Sequence, residues 1–459
     1  MLSEELRLHA ELFGRRRFLL FPVFVAALLA MGVWLLEATG TPRSTVLSGL
    51  FLLVLFFGLQ VGTIGLVGRD AMRDVLGDVT LLVFSARTLP VSRRRLLATF
   101  LVTDLVYYTA FFLTPAVVGF VPVAAAGGLS PAALFLLWVT LVATFTLGTA
   151  ASLTLVGVAT RSTAATVAVI AAVAAAALVA PQQLVGLTPY AVYVDPSAAT
   201  VARALVPLGA LLAAAPVVFE PPTRSGVRRT GEGQYRRLAA VTDGFTARSL
   251  LEVGRSSGSV WKVAFSLGIL SAVTALLLDR LVAATGLTPS AGLAFGTLLG
   301  LGTFTTYNWI SQLDDPRESL RYPAPMDAVF AGKARAFLLL SVPTGLGYLA
   351  LAALWYPVVD LLLGVVVFPP VAVYVFGVTA YLTGLSPNEL LFDTVLFAVY
   401  GAALAVIAVP LLVAALAYGA APVQASLGAV GLAALGAVVG VSLSRRAGSR
   451  WARRLREAG

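Results

Sequence analysis

Few side chains in this sequence could do chemistry. There is one histidine, His9, and no cysteine. Thiolate catalysis, disulfides, iron–sulfur clusters and Cys/His zinc sites are thereby excluded. One histidine cannot make a His-Glu-x-x-His metal site. Lysine occurs only as Lys262 and Lys333, and arginine supplies the other basic groups. Gly332-Lys333-Ala334 lacks the glycine loop that cradles phosphates and the hydroxyl that would hold magnesium, so the chain has no P-loop of its own. Gly254-Arg255-Ser256-Ser257-Gly258 has the Gly-x-Ser-x-Gly spacing, but it has neither the strand–turn–helix context of a nucleophile elbow nor a histidine partner to activate its serine. The expectation is a non-enzyme with no catalytic, cofactor-binding or metal-binding residue.

Polar groups inside apolar blocks are the next candidates. Asp104 lies about nine residues into such a block, roughly 13 Å deep at ~1.5 Å per residue. A carboxylate there costs ~2.5–3.5 kcal/mol on insertion scales. Gln60 is placed similarly. Each could line a substrate path or proton relay, or could face a neighbouring helix and bond to it. Asp279, Asp360 and Asp393 fall at block ends, where carboxylates cost little, and are assigned no role.

Two polar loops carry matched signals. One ends Leu89-Pro90-Val91-Ser92-Arg93-Arg94. The other runs Tyr322-Pro323-Ala324-Pro325-Met326 and on to Gly332-Lys333. In each, proline ends an approaching helix and starts another that runs into the next apolar block. Such an elbow can pass force from a soluble partner to a membrane helix.

The elements that would position these residues are membrane spans. Of the residues, 59% are hydrophobic and 12% charged, with a mean hydropathy of +0.92; a soluble domain carries about 25% charged residues. Spans of ~20 apolar residues are expected at 18–37, 45–67, 97–121, 131–160, 163–181, 204–219, 263–284, 289–308, 336–356, 361–383, 394–416 and 424–443. The block 131–160 exceeds one straight crossing, and 204–219 is short and holds Pro207 and Pro216. Residues 18–36 are too long for the core of a cleaved signal and read as a first span. With the N-terminus in the cytosol and the spans alternating, 29 of the 32 Lys and Arg residues fall on the cytosolic side. Only Arg43, Arg203 and Arg280 do not. The net charge of +10 is therefore read as topology, not as nucleic-acid binding. The expected location is the plasma membrane, multi-pass, with both termini cytosolic.

The fold class expected is an all-α polytopic membrane protein of about twelve transmembrane helices. They fall into two parallel six-helix repeats, because each half has two spans, a long inner loop and four more spans. The expected domains are 1–219, a basic cytosolic linker at 220–262, and 263–459 with a basic tail. Residues 2–13 and 70–84 show amphipathic patterns suited to the inner surface, as anchors or as part of a docking surface.

These features resemble the ABC-2-type exporter permeases, whose half-units have an amphipathic inner helix, two spans, a coupling elbow and four spans. The family's elbow reads Leu-Pro-Val-Ser/Thr-Arg, followed by a span entered through a Gly-Lys pair. Leu89-Pro90-Val91-Ser92-Arg93 fits the first part, and Thr99-Phe100 stands where Gly-Lys would be. In the second half Gly332-Lys333 fits and Tyr322-Pro323-Ala324 is a looser match. The resemblance covers nearly the whole chain and implies a fused pair of permease units. It implies cytosolic ATPase partners, two copies, docked at Leu89, Pro90, Val91, Ser92, Arg93 and Arg94 and at Tyr322, Pro323, Ala324, Pro325, Met326 and Lys333. ATP and magnesium would sit on those partners. Besides membrane lipid, the substrate is left open; the scarcity of polar groups favours a lipid-like or apolar cargo. A secondary transporter of the major facilitator type and a non-transporting anchor subunit are the alternatives. The loop Gly68-Arg69-Asp70 does not match the facilitator signature.

The topology is testable because the chain has no cysteine to remove. Thr230→Cys should resist a membrane-impermeant thiol reagent in intact cells, and Ser197→Cys should react. The reverse pattern would overturn the orientation.

Overall fold

The structure, a computed structural model, describes residues 15–38, 41–75, 93–126, 128–218, 232–255, 260–311, 325–387, 390 and 393–457. These are helical or in short turns, with no strand among them. Among them nine segments are long and apolar enough to cross a membrane. The chain is an all-α, multi-pass membrane protein. It divides into two compact units, Met1–Ser225 and Gly226–Gly459.

In the first unit, α1 (Arg15–Ala38) is followed by α2 (Arg43–Val75). α2 continues unbroken through residues 70–75, where a separate surface helix was expected; residues 2–13 and 76–84 lie outside the described residues. α3 (Arg93–Tyr108) passes through a π-helical turn, Thr109–Leu113, into α4 (Thr114–Val118) and α5 (Val121–Ala125). α6 (Pro131–Arg161) is one unbroken helix of 31 residues, about 46 Å long, so it outruns ~30 Å of hydrocarbon. Ser130 caps its start by accepting from the Ala133 amide at 3.1 Å. Thr140, Thr144, Thr146, Thr149 and Thr154 each donate to the carbonyl four residues back, which satisfies hydroxyls on an otherwise apolar helix. α7 (Thr163–Val179), α8 (Pro181–Gly186), α9 (Pro189–Val194) and α10 (Ala198–Val218) complete the unit.

The expected span 163–181 contains a helix of 17 residues, Thr163–Val179, and α1 covers the expected span 18–37. One expectation changes here: 204–219 is part of a longer helix that begins at Ala198 and spans 21 residues. Pro207 and Pro216 lie within it.

α2 packs on α6 as its main partner. A methyl group on Gly58 would lie 2.3 Å from the Phe145 carbonyl oxygen, and one on Gly148 would lie 2.6 Å from that of Leu55. Gly58 and Gly62 form a Gly-x-x-x-Gly pair, the spacing that brings membrane helices into backbone contact. Phe57, Tyr108, Phe112 and Phe145 form a ring cluster beside this crossing, with centroids 5.2–5.7 Å apart.

In the second unit, α11 (Glu232–Val241) and α12 (Gly244–Arg255) precede α13 (Trp261–Thr285). The latter part of the expected linker is thus folded. The expected span 289–308 is not one helix. α14 (Ala291–Gly302) stops at Thr303 and α15 (Phe304–Ser311) begins after it. There the Thr303 amide and hydroxyl both donate to Gly300 O, which tightens the turn and ends the α ladder. α16 (Met326–Ala352), α17 (Val358–Thr383), α18 (Thr394–Ala417) and α19 (Pro422–Glu457) follow. α16 starts ten residues before the expected span, so Met326–Lys333 of the elbow and the span are one helix.

α17 is the hub of this unit, packing on α14 on one side and α19 on another. Methyl groups on Gly292 and Gly296 of α14 would lie 1.9 Å from Asp360 O and 2.8 Å from Gly364 Cα. Gly440 of α19 meets Val373 O and Tyr374 Cα in the same way, at 2.5 and 2.6 Å. Gly440→Val should therefore cost ~1–3 kcal/mol through overpacking. Gly428→Val on the same helix, where a methyl group meets nothing within 4 Å, should be near neutral. Thermal unfolding in detergent reads the difference; equal melting temperatures would refute the close crossing.

Candidate functional site

One end of the second unit gathers Lys262, Lys333, Arg335 and Arg450 among the described residues. Helix polarity brings together the starts of α13 and α16 and the ends of α15, α17 and α19. At this end α12 lies against the first turns of α16.

Asp243 sets the position of α12. Its Oδ1 accepts from the amides of Phe245 and Thr246 at 3.1 and 3.0 Å, an N-cap. Its Oδ2 accepts from the Thr246 hydroxyl and from Arg335 of α16 at 2.5 Å. Partial desolvation pushes the Asp243 carboxyl upward, but the Thr246 hydroxyl and amide and the Arg335 guanidinium outweigh it and hold the pKa at about 2. Thr246, buried, also donates to Gly332 O at 3.1 Å. Gly332 is where the two helices touch: a methyl group there would lie 2.4 Å from Phe245 Cβ and 3.0 Å from Thr246 N. Any larger residue at 332 displaces α12.

Lys333, the next residue, points into the unit and is 2% exposed. Its Nζ donates to Ile310 O of α15 at 2.7 Å. Lys262 is also buried and sits 4.5 Å from the centroid of the Trp309 ring. Both lysines of the protein thus converge on α15. A compact ammonium reaches a single carbonyl or ring face in a confined space, where a forked guanidinium would not fit.

The end of α17 closes the site. Gly384 has φ +60°, a conformation that favours glycine. Its carbonyl accepts from Tyr307 at 2.5 Å, and the Trp451 ring of α19 packs where a side chain would be. Arg450 lies 4.1 Å from the Tyr381 ring centroid. Outside α12, a groove of about 750 Å3 is lined by Tyr235, Phe245, Arg248, Leu251, Glu252 and Arg255 among others.

Leu89, Pro90, Val91 and Ser92 lie outside the described residues, as do Tyr322, Pro323 and Ala324. Arg93 and Arg94 begin α3. Pro325 is the N-cap residue of α16, Met326 is buried at its first position, and Lys333 follows two turns on. Gln60 on α2 and Asp104 on α3 are half-buried in the first unit, with Asp104 just before the π-helical turn. Sequence reasoning missed Asp243, Thr246 and Lys262. The signals were there: Asp243-Gly244 before an amphipathic stretch, and two lysines kept in an arginine-rich chain.

The α12 clamp generates a prediction. A spin label at Arg255→Cys should be immobile in the parent and freed by Gly332→Val or Asp243→Ala, the latter costing about 1 kcal/mol as a lost cap. A folded pKa near 2 against ~3.9 unfolded means the carboxylate's contribution is complete above pH ~4. It is lost as pH falls towards 2. A label that loosens between pH 8 and 5 would contradict this assignment.

Comparison with protein-family models, with curated proteins and with solved structures finds no match to this chain.

Proposed function

We propose that this chain is the permease of an ABC transporter, an exporter of the ABC-2 type with two permease halves fused in one chain. About twelve helical elements would cross the plasma membrane, with both termini in the cytosol. Two separate ATPase subunits would dock at the elbows, and binding and hydrolysis of ATP on them would drive the halves between inward- and outward-facing states. The cargo would be lipid-like or apolar.

The observation that carries this reading is the α12 clamp. A force-transmitting elbow needs a surface helix fixed rigidly to the foot of a span. α12 is held on α16 by a buried hydroxyl, an ion pair and direct contact at Gly332. The adjacent groove carries both charge signs and two aromatic side chains, a surface suited to a protein partner. A second observation agrees with the fused-pair plan. In each unit, taken by itself, the helix at the fourth expected span packs on the helix at the second through glycine contacts and on the helix at the sixth as well: α6 with α2 and α10, α17 with α14 and α19.

The test is co-purification from the native membrane in mild detergent. A P-loop ATPase should come with the chain in stoichiometric amount. Gly332→Val, or scrambling of 89–95 and 322–327, should lower its recovery more than tenfold while the chain stays in the membrane. Recovery of the chain by itself, with transport that follows a proton or sodium gradient, would replace this reading with a secondary transporter. No transport at all would leave the anchor subunit.

A further inference from the structure

The outward face of α19 carries a second built feature. α19 has 36 residues, about 54 Å, and changes character near Leu443. Before that point it is apolar. After it come Arg445, Arg446, Arg450, Arg453, Arg454 and Arg456, with Glu457 as the acidic residue of the helix. Ala429, Ala433, Gly436, Gly440, Ala447 and Gly448 are buried along the packed face. The opposite face has a groove of about 480 Å3 lined by Ala437, Val438, Val441, Ser442, Arg445 and Arg446.

These six residues form two i, i+4 rows, 437–441–445 and 438–442–446, which lie side by side on a helix. The rows run from apolar to basic along one face. Val438 and Val441 are 66% and 40% exposed, and Arg445 and Arg446 are exposed. Among the described residues no carboxylate lines the groove. From Val438 to Arg445 is about 10 Å along the axis.

We infer that this groove binds an anionic phospholipid, one acyl chain along Ala437, Val438 and Val441 and the phosphate between Arg445 and Arg446. The chemistry matches at each level. The valines offer methyl groups at the depth of the acyl chain, Ser442 offers a hydroxyl at the depth of the ester, and two guanidiniums offer forked donors to phosphate. Arginines at the end of a membrane helix attract anionic headgroups; what α19 adds is an apolar groove leading directly to two of them. Neither the proposed transport function nor its partner is needed for this site.

The test uses the full chain in a neutral detergent, titrated with phosphatidylglycerol or phosphatidylcholine and read by native mass spectrometry and by melting temperature. Phosphatidylglycerol should bind saturably and raise the melting temperature, and phosphatidylcholine should bind at least tenfold more weakly. Arg445→Gln/Arg446→Gln should weaken phosphatidylglycerol about 30-fold, from ~1 kcal/mol per arginine near the surface. Val438→Trp, which fills the groove and keeps both charges, should weaken it as well. Arg453→Gln/Arg456→Gln, two turns further along, should not. Equal binding of the two lipids, or no loss in the 445/446 variant, would overturn the site. Competition by inorganic phosphate as effective as by the lipid would reduce it to an anion site without an acyl chain.

Discussion

The architecture depends on one constraint: in hydrocarbon, apolar side chains gain nothing by leaving the solvent, so helices associate through packing and polar contacts. Backbone groups must be satisfied within each helix. Both units answer with glycine. Gly58, Gly62 and Gly148 let α2 and α6 touch, and Gly292, Gly296, Gly364, Gly377 and Gly440 do so around α17. Contact at 2–3 Å from a virtual methyl leaves no room for any side chain, so each crossing is fixed in depth and register. Short-range attraction over such surfaces is small per atom pair and large in sum. The crossings around α17 fix α14, α17 and α19 against one another in the second unit.

The same constraint explains how polar residues are carried. α6 bends the hydroxyls of its threonines back on its own carbonyls, and α14 begins under the Ser290 cap, with Asp360 of α17 accepting from the Ser290 hydroxyl and the Gly292 amide. At the basic end polar atoms are likewise shared between helices: Thr246 with Gly332, Lys333 with Ile310, Tyr307 with Gly384. Bonds within a helix tolerate polarity; bonds between helices specify position, and they occur here as they do at Asp360, Tyr348 and Tyr374.

Much of this was legible in the sequence. Hydropathy located the apolar helices, because ~20 consecutive apolar residues leave few alternatives. Pro325 and the residues after it marked the start of α16. Hydropathy could not show that 289–308 breaks, since Gly300, Gly302 and Thr303 are as acceptable to a hydropathy window as to a continuous helix. The break comes from two donors of Thr303 reaching one carbonyl. Nor could it show that 232–255 folds, because the reason lies ninety residues away at Gly332 and Arg335. The Gly332-Lys333 pair was visible as a motif. Its physical content was not: the glycine admits α12 and the lysine holds α15.

That pair ties the candidate site to the interior. α12 bears on α16 at Gly332, and the next residue of α16 binds the last turn of α15. Displacement of α12 therefore reaches two helices within one residue of sequence. α15 is separated from α14 by the turn at Thr303 and is held by polar contacts from several sides: Tyr307 donates to Gly384 O, Lys333 to Ile310 O, Ser266 to the Thr305 hydroxyl, and Lys262 lies over the Trp309 ring. In the proposed permease, a partner pushing on α12 works against glycine crossings that leave no room to shift, and Gly332 and Lys333 tie its push to α15 through one residue of sequence.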